Sequence, residues 1–209
     1  TGFVGAFLLA ELLNTTAPEV QLHCLVRGSN EGSALDKLRS KLQQYGLWAP
    51  SFASRIKPIL GDLSQHRLGL SEPAFAQLAQ TIDVIYHCGA MVDHVRGYQV
   101  LKPANVGGTQ EVLRLACTHR IKPMHFISTL SVIYPPTYMA GGVVHEDSPA
   151  GPVASLPNGY MQSKCVAEHL VQQAGARGLP VVTYRLGAIT GHSKTSVCNL
   201  GDFFYSALR

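Results

Sequence analysis

Tyr160 and Lys164, in the stretch "YMQSK", stand four residues apart, a spacing that puts both side chains on one face of a helix. An ammonium beside a phenol favours the phenolate. It would lower a pKa that is otherwise about 10 and let the tyrosine exchange a proton at neutral pH. The pattern by itself is weak. The chain's tyrosine and lysine content gives roughly 0.3 chance occurrences, and a second match, "YQVLK" from Tyr98 to Lys102, is present. Position separates the two. Tyr160 follows the run "HFISTLSV", whose end offers Thr129 and Ser131 as hydroxyls for the same substrate oxygen. Tyr98 precedes that run and has no such partner, so it reads as packing and Lys102 as a solvated or locally paired charge. Thr129, Tyr160 and Lys164 are therefore the candidate catalytic set.

A second group of residues has the types that hold a dinucleotide. The chain opens "TGFVGAFLLAELL", in which Gly2 and Gly5, with Phe3 and Val4 between them, fit the last two glycines of a G-x-x-G-x-x-G turn. Such glycines let backbone approach a pyrophosphate, and the helix N-terminus behind them supplies free N–H groups and a positive dipole end. A glycine-containing helix start explains the same residues until others join them. "CLVRG" does so. Arg27 stands where NAD-binding folds usually place Asp or Glu, with Lys37 and Arg39 in the helix beyond. A guanidinium binds a 2′-phosphate bidentately and a carboxylate repels it, so the expected cofactor is NADPH rather than NADH.

Asp62 and Leu63 of "GDL", and Gly89 and Ala90 of "HCGAMV", sit at two further strand ends, where open α/β sheets bind ligands. Asp62 can accept from an adenine amino group, and the Gly-Ala pair lets a ribose pass close to the backbone. His87 reads as a strand-end histidine bonded to backbone, and Asn105 as the N-cap of its helix, a role sufficient in itself. The nine histidines are dispersed without partners at ligand spacing, so no metal site is expected. There is no G-x-S-x-G of an α/β-hydrolase.

These residues need a scaffold that gathers strand ends. Short β-rich runs at 20–26, 55–61, 83–89, 124–129 and 180–187 alternate with helical patterns at 4–13, 34–45, 74–80, 105–119, 160–174 and 201–209. That is the rhythm of βαβ units, and several runs are apolar on both faces, as buried parallel strands are. The expectation is an α/β fold, a Rossmann-like doubly wound parallel sheet. Residues 134–157, rich in Pro and Gly, break the rhythm as a loop or lid. Such a sheet needs a central strand just before the glycine turn, so residues 1–200 read as a nucleotide-binding domain lacking its first strand, truncated at both ends. Residues 201–209 read as the start of a substrate-binding region.

Composition excludes other classes. Of 209 residues, 46% are apolar and 14% charged, which argues against disorder. The net charge of +4 is scattered rather than striped, which gives no support to nucleic-acid binding. No apolar run reaches the roughly 18 residues of a membrane span. Five cysteines without a C-x-x-C pair read as buried thiols of a reducing, cytoplasmic compartment.

The ordered motifs TGFVG, LVRG, GDL, HCGA, NVGGT, ISTLSV, YMQSK and YRLG resemble the extended short-chain dehydrogenase/reductases. Within them, "ILGDLSQHRLGLS", "YQVLKPANVGGTQEVLRLA", "YMQSKCVAEHLV" and "YRLGAITGHSKTS" look most like the terminal thioester reductase domains of nonribosomal peptide and polyketide synthases and the carboxylic acid and aminoadipate reductases. The resemblance implies a domain of a multidomain synthase. Such a domain uses NADPH to release an acyl or peptidyl thioester, held on the phosphopantetheine arm of a carrier protein, as an aldehyde, or as an alcohol after a second reduction. It implies catalytic roles for Thr129, Tyr160 and Lys164, and cofactor or framework roles for Gly2, Gly5, Arg27, Asp62, Gly89, Ala90 and Asn105. Cys88 stands where the family often has Asn, and Leu186 where it often has Pro. Two alternatives share the fold: a nucleotide-sugar epimerase or dehydratase, whose retained NAD Arg27 argues against, and a nucleotide-binding module without turnover.

Overall fold

The computed structural model describes residues 2–133 and 143–200. Its elements are helix α1 (Phe3–Thr15), strand β1 (Leu22–Val26), α2 (Glu31–Gln44), β2 (Ile56–Leu60), α3 (Glu72–Thr81), β3 (Ile85–His87), α4 (Tyr98–Lys102), α5 (Gly108–Cys117), β4 (Met124–Thr129), α6 (Gly159–Ala176) and β5 (Val181–Leu186). The alternation of strand and helix follows the sequence pattern, with boundaries displaced by a few residues. The expected helix at 201–209 and residues 134–142 of the expected loop lie outside the described residues.

All described strand pairs are parallel. They form two ribbons, β1-β2 and β3-β4-β5, and no pairing joins β1 to β3 among the described residues. Each ribbon has its own core. Leu9 and Leu13 of α1 and Leu38 and Leu42 of α2 close on Val26 and Ile56 of the first ribbon. Val112, Leu115 and Ala116 of α5 and Ala167 and Val171 of α6 close on Met124 and Phe126 of the second. Phe126 is completely buried, and burying a phenylalanine contributes roughly 1.5–3 kcal/mol.

Two features differ from the sequence reading. The helix expected to begin at Asn105 begins at Tyr98 and runs through to Cys117, with a π-turn over Pro103–Gly107 inside it. Proline has no N–H for the regular ladder, and this chain accommodates it by widening one turn instead of ending the helix. The cysteines are not uniformly buried: Cys165 is, Cys117 is exposed, and Cys24, Cys88 and Cys198 are half-buried, all with free thiols.

Candidate active site

The C-terminal ends of the parallel strands in both ribbons carry the candidate residues, because every crossover returns the chain in the same direction. Helix α6 begins there. The Asn158 side chain accepts from Met161 N at 3.0 Å, capping the helix, and Tyr160 and Lys164 follow on successive turns. Lys164 is 4% exposed. Its Nζ donates to Ile127 O at 2.7 Å and lies 4.1 Å from the Phe126 ring centre. Thr129 ends β4, and its Oγ1 accepts from Ser131 N at 3.2 Å.

The protonation states differ from the sequence expectation. Burial pushes the Tyr160 phenol above its ordinary value, with hydrogen bonding from the Thr129 side chain pulling the other way. The lysine is not among the groups that pull it down, and its ammonium faces Ile127 O and the Phe126 ring. Tyr160 is therefore protonated at neutral pH, the form that can give a proton to a developing oxyanion. Burial lowers Lys164 to about 8, against the opposing pull of Glu168 and Cys88.

A loop presses on the start of α6. A Cβ at Gly159 would sit 2.5 Å from Gly97 C and 2.7 Å from Arg96 O, and closer still to Tyr98 N. His94 of the same loop lies edge-on to Tyr160, ring centres 5.2 Å apart. Gly159→Ala is expected to force this backbone off the helix, costing about 1–3 kcal/mol in thermal unfolding and lowering turnover together with it.

His87 is buried and neutral, pushed down to about 3 by burial and then by Lys164. Its Nε2 lies 3.0 Å from Thr109 Oγ1, whose proton goes to Asn105 O at 2.7 Å, so the imidazole nitrogen is the donor. Its partner is thus a side chain, not the expected backbone. Asn105 is no N-cap. It lies within the π-turn, where its amide accepts from Met91 N at 2.7 Å and donates to Met91 O at 3.0 Å and to Ser163 Oγ at 2.9 Å. One amide thus ties the strand-end segment after Ala90 to the helix that carries Tyr160.

The glycines of "HCGA" and "NVGG" converge on Leu63. A Cβ at Gly89 would lie 2.6 Å from Leu63 Cδ1, and one at Gly108 2.9 Å from Leu63 O. The Leu63 backbone excludes a side chain at Gly108, the mobile Leu63 tip crowds Gly89, and Leu63 thus acts as the wedge between two motifs.

On the nucleotide side, α1 contrasts with its neighbours. Side chains of Asn30, Ser71 and Asn158 cap α2, α3 and α6, whereas Gly2 leads α1 with no side-chain cap and no acidic residue in the first turn. Its leading N–H groups stay open to an anion. Gly5 backs onto the end of β3, where an added Cβ would touch Cys88 Sγ at 3.5 Å. Exposed Arg27 and Lys37 meet through a bond from Lys37 Nζ to Arg27 O at 2.7 Å. Asp62 Oδ1 accepts from Ser64 N at 2.8 Å and Ser64 Oγ at 2.7 Å, and these bonds, with a smaller effect of Arg27, hold its pKa down. The donor set and the open helix end fit a dinucleotide phosphate.

Sequence reasoning missed a buried polar cluster beside Lys164. Glu168, 0% exposed, accepts from Arg185 Nη2 at 2.6 Å and Nε at 3.0 Å, and from Ser128 Oγ at 2.6 Å. The visible signal was Lys164-x-x-x-Glu168 on one helix face, together with Arg185 in "YRLG". Among the described residues no helix is long and apolar enough to cross a membrane, and no His, Cys, Asp and Glu group could hold a metal.

The NAD-binding family described as Male sterility protein matches residues 1–209. One of the chains of linear gramicidin synthase from Brevibacillus parabrevis is 46% identical over 205 residues, covering 98% of this chain and 4% of that protein. The crystal structure of the terminal R domain from the myxalamid PKS-NRPS biosynthetic pathway superposes with a TM-score of 0.93 at 44% identity, covering 99% of this chain and 51% of that one. A thiolation-reductase di-domain from an archaeal non-ribosomal peptide synthetase gives 0.74 at 27%, covering 97% and 43%. The chain thus spans about half of the solved R domain and a small part of the gramicidin synthase protein.

Proposed function

Since the chain belongs to the NAD-binding family described as Male sterility protein, within the extended short-chain dehydrogenase/reductases, we propose that it reduces an acyl or peptidyl thioester delivered by a carrier protein, releasing an aldehyde. The observation that carries this reading is the convergence of Thr129, Tyr160 and buried Lys164 at the strand ends, on the edge where α1 opens its uncapped N-terminus. The family and the likeness to R and thiolation-reductase domains support the same reading. We place the chain in a multidomain synthase of the cytoplasm, in keeping with its free thiols. A strand between β1 and β3 would join its two ribbons into one nucleotide-binding sheet.

NADPH would be held by the turn from Gly2 to Gly5, by Arg27 and Lys37 at its 2′-phosphate, by Asp62 and Leu63 near the adenine, and by Gly89, Ala90 and Lys164 along the ribose path, with Asn105 fixing that path. When bound it supplies a hydride equivalent for the thioester carbonyl carbon. Tyr160 gives its phenolic proton to the carbonyl oxygen, and Thr129 hydrogen-bonds that oxygen as negative charge grows on it. Lys164, one turn beyond Tyr160, would hold the ribose hydroxyls. The resulting hemithioacetal loses the hydroxyl proton, its C–S bond breaks, and the carrier thiol leaves with a proton.

The test is NADPH absorbance with the full-length protein and an acyl-carrier or acyl-CoA thioester. Thioester-dependent oxidation that yields free thiol and aldehyde is expected, and its absence overturns the reading. A nucleotide-sugar epimerase would instead retain NAD and consume no NADPH. Arg27→Ala is expected to weaken NADPH use by about tenfold or more while leaving NADH use nearly unchanged, because a charge-assisted bidentate contact is lost for the phosphorylated cofactor alone. Steady-state KM values for the two cofactors measure this.

A further inference from the structure

We propose that Glu168 is a positioning residue of this site: its buried carboxylate, held by Arg185 and Ser128, maintains the charge of Lys164 and fixes the helix carrying Tyr160 and Lys164 to the strand that ends in Thr129. The proposal rests on the reductase reading above. Tyr160, Lys164 and Glu168 occupy successive turns of α6, so the carboxylate lies one turn beyond the ammonium. Its two oxygens face different elements. Oε2 accepts from Ser128 Oγ of β4 at 2.6 Å, and Ser128 directly precedes Thr129. Oε1 accepts from Arg185 of β5 at 2.6 and 3.0 Å. Arg185 Nη1 continues to Ser148 O at 2.7 Å, in the segment that leads toward α6. One carboxylate therefore joins the two elements that bear the reacting hydroxyls, and its counter-ion holds the adjoining segment.

The electrostatics follow from what surrounds Lys164. Phe126 and Ile127 of β4 give it an aromatic face and a carbonyl. From the end of β3 it is faced by His87 and Cys88. Burial keeps His87 neutral and pushes the Cys88 thiol up, so neither carries charge at neutral pH. On its own helix Tyr160 is protonated, with His94 against it. Glu168, ion-paired with Arg185, is left as the carboxylate whose field favours the ammonium without touching it. An ion pair with a fully buried carboxylate and a largely buried guanidinium is costly to retain unless geometry demands it, and replacing buried pairs by apolar residues is often neutral or stabilising. Retention at this place fits a role in the site better than a role in stability.

The test is a pH series on the full-length protein. Glu168→Gln keeps the shape and removes the charge, leaving Arg185 without its carboxylate partner. The alkaline limb of kcat is expected to move about one unit toward lower pH, with kcat at pH 8 falling about fivefold and unfolding temperature changing little. Arg185→Gln leaves the carboxylate with Lys164 as its remaining counter-charge and should move the limb the other way. Ser128→Ala should lower kcat without moving the limb, and Glu168→Asp should restore the limb ahead of the rate. A limb that stays in place in Glu168→Gln, or moves the same way in both charge variants, overturns the proposal. The chemical shift of the Lys164 Cε carbon, assigned with Lys164→Met, reports the lysine titration without substrate or cofactor. If no thioester reduction is found, that titration still decides whether Glu168 holds the charge. Should Glu168→Gln fail to fold, Glu168→Asp and Arg185→Gln carry the same comparison.

Discussion

Tyr160→Phe is expected to lower kcat for carbonyl reduction by about 10²–10⁴-fold, the contribution of a positioned general acid, while nucleotide affinity stays within a few-fold of wild type. The lost hydroxyl is hydrogen-bonded with the Thr129 side chain, and burial keeps it protonated where a proton is needed. The ring remains, so the edge contact with His94 and the packing at the start of α6 persist. An unfolding temperature close to wild type, together with a collapse of kcat, separates loss of chemistry from loss of fold. Retention of more than about a tenth of the rate would show that another group supplies the proton.

Lys164→Met is expected to remove most activity and to raise stability at neutral pH, a divergence that only a functional burial produces. Lys164 is protonated below about pH 8 in the folded chain and below its ordinary 10.5 when unfolded. Between these values the unfolded state binds more protons, so wild-type stability rises with pH across that window, and below it the full cost of the buried ammonium is felt. Lys164→Met lacks both the cost and the slope. Unfolding temperatures at pH 7 and pH 9.5 measure this, with the gap between variant and wild type narrowing at the higher pH. An equal gap at the two values would show that the lysine is not strained by burial.

Lys122 shows why a buried lysine is not in itself a functional signal. It is completely buried, yet its Nζ donates to Leu115 O, Thr118 O and Arg120 O at the end of α5. It satisfies carbonyls that the helix leaves open. Nothing in "RIKPMHF" distinguishes it from a solvated cation. Lys164 was legible because it has Tyr160 one turn back and a hydroxyl-bearing strand end upstream, whereas Lys122 has only local neighbours.

Local pattern and tertiary contact therefore decided different things. The strand and helix alternation, the parallel direction of the strands, the candidate catalytic set and the arginine after β1 could be read from order and spacing, since each depends on periodicity or on residues a few positions apart. Distance in sequence hid the rest. Asn105 meets Ser163 58 positions away, and Ser128 meets Glu168 40 positions away. Leu63 wedges between Gly89 and Gly108, and Gly159 lies under the Arg96–Tyr98 backbone, contacts that no motif announces. The sequence named a phenol and an ammonium with the right spacing. Burial, which depends on what the whole chain folds over them, kept the phenol protonated, brought the ammonium to the edge of titration, and set Glu168 against it.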